Sequence, residues 1–141
     1  MFVLDTNVVS ELRKVRAGKA DPGVSEWASG VPWGQLFLSC ITVQELEHGV
    51  LLAERADPAK GRVLRRWLDG SVISVFEQRV LAVDATVARR AAALHVPDPA
   101  PFRDALIGAT ALVHQMTVVT RNVKDFVRFD GIDVIDPWSA Q

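Results

Sequence analysis

Short apolar runs alternate with longer segments of helical periodicity along this chain. The runs are "FVLD", "QLFLSCI", "RVLAVD", "MTVVT" and "IDVIDP". Runs that are apolar at consecutive positions suit strands buried on both faces. Their alternation with helices predicts a parallel sheet covered by helices on both sides. In such sheets, ligands bind beyond the carboxyl ends of the strands. A site is therefore expected where these runs stop, and the first stops on Asp5, followed by Thr6 and Asn7. A buried, unpaired carboxylate is costly, so Asp5 must be paired, hydrated or used.

The intervening segments read as helices. Thr6 to about Val15 forms the first. Pro22 opens a second, with Val24, Trp27 and Ala28 on one face, and "GVPWG" breaks it. Thr42 to about Glu54 follows, striped by Val43, Leu46, Val50 and Leu51. "ADP" interrupts and restarts the helix, which continues with Val63, Leu64, Trp67 and Leu68 on one side. Asp84 suits an N-cap for a helix over Ala85 to Leu94. After the loop "HVPDPAP", Phe102 to Gln115 is a strongly apolar helix. "RNVKDF" reads as a loop or short turn.

At 141 residues, with 49% apolar and 23% charged residues, the chain is expected to form one domain, residues 1–141. The apolar runs are too short to cross a bilayer, and the N-terminus does not resemble a signal peptide. Cys40 has no partner for a disulfide and reads as a small core residue. These features are expected of a cytoplasmic protein. A net charge of −1 gives no global attraction to nucleic acid or membrane. Basic residues do group locally, at Arg13, Lys14, Arg16 and Lys19, at Lys60, Arg62, Arg65 and Arg66, and at Arg121, Lys124 and Arg128. Each group reads as a solvated face unless a site lies beside it.

Three further acids fall at equivalent places. Glu45 lies early in the third helix, Asp104 in the first turn of the long apolar helix, and Asp125 just after "MTVVT". Each has a plain structural reading. Asp5 can cap a helix, Thr42-x-x-Glu45 matches a capping box, Asp104 complements a helix N-terminus, and Asp125 suits a turn. Asp104 also shares its face with Ile107, Gly108 and Ala111, so it rises from a buried stripe. These separate readings do not account for four acids gathering at one rim of one sheet. Two carboxylates about 4 Å apart repel by about 4 kcal/mol at an effective dielectric of about 20. Such a cluster calls for a cation. Asp and Glu oxygens suit Mg²⁺ or Mn²⁺, whereas His48, His95 and His114 have no zinc-ligand spacing. A hard ion in an acidic pocket points to phosphodiester hydrolysis. Thr6, Asn7, Ser39, Thr120 and Asn122 supply uncharged polar groups nearby, and Arg121 and Lys124 are placed to contact a nucleic-acid backbone.

In order and spacing, "VLDTNVVSEL", "ITVQELEHGV", "FRDALIGATAL" and "TVVTRNVKDF" resemble the motifs of PIN-domain ribonucleases. The resemblance is in particular to the VapC-type and FitB-type toxins of bacterial toxin–antitoxin pairs, and it spans nearly the whole chain. It implies a three-layer α/β/α sandwich with a mostly parallel five-stranded sheet. It also implies an Mg²⁺- or Mn²⁺-dependent endoribonuclease, a homodimer and a small inhibitory antitoxin. The family's acids fall on Asp5, Glu45, Asp104 and Asp125, with metal ligation expected at Asp5 and Asp104 and water-mediated roles at Glu45 and Asp125. Asn122 occupies a position that is often acidic in relatives. The resemblance also makes the Val63, Leu64, Trp67 and Leu68 stripe a candidate antitoxin surface, with core packing as its alternative.

Two other readings stay open on the residues. A phosphotransfer domain also places Asp and Mg²⁺ at strand ends, but a dehalogenase-like site wants a second acid where Asn7 stands, and a receiver wants an acceptor Asp that "SCITVQEL" lacks. A catalytically silent PIN-like module would keep the fold and use its acids to hold a partner.

Overall fold

Five short strands line up as the apolar runs predict. The computed structural model describes residues 1–139. The strands are β1 (Phe2–Leu4), β2 (Leu36–Ser39), β3 (Val80–Leu81), β4 (Thr117–Val119) and β5 (Val134–Ile135). They form one sheet in the order β3-β2-β1-β4-β5, and every pairing is parallel. The expected five-stranded, mostly parallel sheet is present, with every described pairing parallel. Each connection returns over a face of the sheet through helical chain, which is how neighbouring parallel strands must be joined.

The helices are α1 (Thr6–Leu12), α2 (Pro22–Ser29), α3 (Cys40–Ala56), α4 (Pro58–Trp67), α5 (Ala85–Leu94), α6 (Phe102–His114) and α7 (Val123–Phe126). Strand alternation divides the core between the two faces. Leu4 and Val119 pack with Val8 and Val9 of α1, Leu46 and Val50 of α3, and Phe76. Val3 and Val118 face the other way, against Ala105, Ile107 and Ala111 of α6 and Phe126 of α7. Helix α5 lies outside α6, joined through Val87, Ala91 and Ala109. Among the described residues, no helix is long and apolar enough to cross a membrane.

Several local expectations shift. Helix α3 begins at Cys40 because the Ser39 hydroxyl caps it, accepting the Ile41 N–H at 3.1 Å. The Thr42-x-x-Glu45 capping box therefore does not form. Thr42 is buried, and its hydroxyl has no hydrogen-bond partner among the described residues. Pro101 is the N-cap residue of α6 and makes no side-chain capping hydrogen bond. Cys40 is only partly buried. Leu51 and Val63 lie exposed, outside the stripes assigned to them. The chain from Leu68 to Ile73 forms a π-helical turn that buries Leu68 and Val72.

Helices α3 and α4 form a tight hairpin. Asp57 caps α4, and Arg65 reaches back to Glu47 at 2.6 Å and Glu54 at 3.0 Å. Arg65 thus belongs to an ion-pair clamp and not to a free basic face. Gly61 is the close-contact point, since a methyl group there would land on the backbone of Glu54. Ala improves helix propensity by about 1 kcal/mol, but overpacking against rigid backbone costs about 1–3 kcal/mol. Gly61→Ala should therefore lower the unfolding free energy by a net of up to about 2 kcal/mol, read as a lower urea midpoint with an unchanged m-value. An unchanged midpoint would show that the hairpin yields at this point.

Candidate active site

The strand order fixes where a site can form. From β1 the chain adds β2 and β3 on one side, then crosses to place β4 on the other side of β1. The crevice beyond the carboxyl ends of β1 and β4 is the topological switch point, where open parallel sheets bind ligands. Register sets Leu4 beside Val119, so the next residues, Asp5 and Thr120, stand together at that crevice.

Asp5 is 5% exposed and extended, with φ −72° and ψ 159°. Its carboxylate caps α1 by accepting the Thr6 N–H at 2.8 Å. The Thr120 hydroxyl donates to its other oxygen at 2.8 Å, and the Asn7 amide donates to that oxygen at 3.3 Å. Burial pushes the Asp5 pKa up. The Thr120, Thr6 and Asn7 hydrogen bonds pull it partly back, and the Glu45 charge adds to the rise. The predicted capping role is thus filled, and the same side chain stands at the crevice.

Glu45 projects from α3 to the same crevice, where its Oε1 accepts the Thr6 hydroxyl at 2.6 Å. Asp104 lies in the first turn of α6 above the buried Ile107, Gly108 and Ala111. Its pKa is pushed up to about 6, first by burial and then by the charges of Asp5, Asp125 and Glu45. No hydrogen bond offsets these effects at Asp104. Four carboxylates from α1's cap, α3, α6 and α7 therefore share one electrostatic field. An open cavity of about 450 Å³ is lined by Glu45, Pro101, Phe102, Arg103 and Asp104.

A family model described as PIN domain matches residues 2–132. The chain belongs to the PIN-domain family. Its relatives place it in the VapC/FitB group. VapC ribonuclease Y4jK of Sinorhizobium fredii is 35% identical, with 98% of each chain covered. Toxin FitB of Neisseria gonorrhoeae is 35% identical over 98% of this chain and 99% of the relative. The crystal structure of FitAcB from Neisseria gonorrhoeae has a TM-score of 0.89 and 32% identity, covering 99% of this chain and 100% of that one.

Within this PIN domain the predicted polar residues serve the first acid unequally. Thr6, Asn7 and Thr120 bind or bridge the acids through their side chains. Asn122 contributes its backbone N–H, which donates to the Thr120 hydroxyl at 3.0 Å. Ser39 caps α3. The Arg121 backbone N–H donates to the Asn7 side-chain oxygen at 3.2 Å, while its guanidinium lies over the Trp138 ring, 5.2 Å from the centroid. Lys124 is exposed on α7 beside Asp125. Sequence reasoning missed Arg103, whose Nη1 stands 3.9 Å from Glu45 Oε2. Its position next to Asp104 was the available signal.

Among the described residues, no three His, Cys, Asp or Glu side chains are grouped closely enough to hold a metal ion as they stand. Asp5 and Glu45 are instead turned to hydroxyl and amide donors. The donor set still fits a hard divalent ion. It is all carboxylate oxygen, and the carboxylates burden one another, most visibly at Asp104.

A second, more apolar cavity of about 520 Å³ lies elsewhere, lined by Val9, Leu12, Trp33, Trp67 and Phe76, with Arg13 and Arg16 among its walls. None of the four acids lines it. Trp67 is the one member of the predicted Val63–Leu68 stripe that reaches it, while Leu68 is core.

Proposed function

We propose that this PIN domain is a metal-dependent endoribonuclease acting as the toxin of a toxin–antitoxin pair. The observation that carries the reading is the gathering of Asp5, Glu45, Asp104 and Asp125 at the switch-point crevice, with Asp104 raised to about 6 by burial and then by the neighbouring carboxylates. The relatives named VapC ribonuclease and Toxin FitB support it.

Asp5 and Asp104 would hold an Mg²⁺ or Mn²⁺ ion, with Glu45 and Asp125 acting through water. The ion, when bound, acidifies a water and draws in phosphate oxygens. The chain's own contribution is positional. Thr6, Asn7 and Thr120 fix the Asp5 carboxylate by three donors, so its orientation does not depend on substrate. Thr6 also ties Glu45 to the same turn. Lys124, and Arg121 if released from Trp138, supply cations for the RNA backbone. An active toxin must be restrained in its own cell, so an antitoxin is the expected partner. The apolar cavity around Trp33, Trp67 and Phe76 suits an apolar segment of it. A homodimer is proposed on family grounds.

Purified protein should cleave single-stranded RNA with Mg²⁺ or Mn²⁺ and stop when EDTA is added. Expressed alone it should arrest growth, and co-expression of its antitoxin should restore growth. Unimpaired growth with abundant folded protein, together with no cleavage of a mixed RNA pool, would overturn the proposal. A stable acyl-phosphate after treatment with a small phosphodonor would favour phosphotransfer instead.

A further inference from the structure

The wall of the acidic cavity carries an aromatic ring that packing does not explain. Phe102 is the first residue of α6, two before Asp104, and is 73% exposed. It lines the same cavity as Glu45 and Asp104. Its ring is nearly parallel to that of His95, with an interplanar angle of 20° and centroids 6.4 Å apart. His95 is itself fixed, because its Nδ1 accepts the Ala100 N–H at 3.1 Å across the loop that leads into α6. The loop thus folds back to support the Phe102 ring from one side. Arg103 follows directly, with a side chain 61% exposed that extends over Glu45.

A supported π-face beside a guanidinium, at the rim of a site for phosphodiester chemistry, has the composition of a single-strand nucleic-acid platform. A protein partner fits less well. One ring flanked by an arginine and ionisable acids offers no apolar centre of the kind that protein interfaces bury.

We propose that Phe102, backed by His95, stacks a nucleobase of single-stranded RNA adjacent to the scissile phosphate, with Arg103 on the adjoining backbone phosphate. This rests on the ribonuclease reading and adds to it a base-binding subsite. Phe102 is a positioning residue, because the acids and not the ring meet the reacting phosphate.

The test is direct binding of a fluorescent single-stranded RNA oligonucleotide to the Asp104→Asn protein, so that the substrate survives. Adding Phe102→Ala should weaken binding about tenfold, within the range for loss of one base–aromatic stack. Phe102→Trp should restore it, and Phe102→Leu, which keeps apolar bulk without a π-face, should not. An abasic position next to the cut should weaken binding to the Asp104→Asn protein and cost the Phe102→Ala form nothing further. In the cleaving protein, Phe102→Ala should raise KM and spare kcat. Equal binding by the Phe102→Ala form, rescue by Phe102→Leu, or a change of oligomeric state on size exclusion would overturn the stacking subsite alone. Failure of both the Asp104→Asn protein and the EDTA-treated parent to bind RNA, with no cleavage by the metal-loaded parent, would overturn it together with the ribonuclease reading.

Discussion

Asp104→Asn should reduce RNA cleavage about 100- to 1000-fold, the usual cost of removing one preorganised electrostatic group from a reaction centre, and should leave the protein at least as stable as before. Loss of activity with gain of stability follows from the surroundings of this carboxyl. Asp104 is pushed up to about 6 from an ordinary 3.8 by burial and by three other carboxylates, with no hydrogen bond in compensation. An acid whose folded pKa is raised binds more protons folded than unfolded, so stability falls as pH rises across the window from about 4 to about 6. Above that window the full penalty is present. Discounted for the solvent that reaches this side chain, it is of order 1 kcal/mol, and the neutral amide removes it. The unfolding temperature of the metal-free variant at pH 7.5 should therefore rise by a few degrees. Asp5→Asn should also abolish cleavage, but without any stability gain. Its carboxylate accepts from Thr6, Asn7 and Thr120, and an amide cannot accept on both sides. Cleavage at the parent rate by a nuclease-free preparation of either variant would remove the acids from the mechanism.

Asp5 shows how far a linear sequence can be read. An apolar run ending on a charge marked the end of a strand, because β1 ends at Leu4 and Asp5 stands at the switch point. Its partner Thr120 lies 115 residues away and was legible only as the residue after another apolar run. The helix-cap reading held at Asp5, which caps α1, and failed at Thr42-x-x-Glu45. Glu45 does not cap its own helix because the Thr6 hydroxyl takes it, and Ser39 caps α3 instead of Thr42. Exposure was the least legible property. Leu51 and Val63 fit helical stripes but face outward, because each stripe is wider than the surface it packs on. Phe102 was read as part of an apolar helix, and only the tertiary fold shows its ring left outside the core at the cavity wall. The helical stripe was read only as far as Leu68, whereas the π turn carries it on to Val72, four residues later.

Saturating Mg²⁺ or Mn²⁺ should raise the unfolding temperature at pH 7.5 by roughly 5–10 °C, and this response should fade at pH 5. An ion present at about a hundred times its dissociation constant stabilises by about 2.7 kcal/mol when it binds only the folded chain, and a domain of this size converts that into a shift of several degrees. The pH dependence comes from competition for the same oxygens. Ligation requires deprotonated carboxylates, and Asp104, at about 6, is largely protonated at pH 5. Asp5 is raised as well, so it adds to the same trend. Metal-free and metal-saturated proteins should therefore move oppositely as pH rises from 5 to 7. The former loses stability as carboxylate repulsion develops, and the latter gains it as those carboxylates take up the cation. Scanning calorimetry of the parent, Asp5→Asn and Asp104→Asn proteins, each with and without metal at both pH values, separates the two trends without any measurement of cleavage. If both variants keep the full metal-induced shift, the ion binds outside this crevice. The four acids would then need some other counter-charge to explain their convergence.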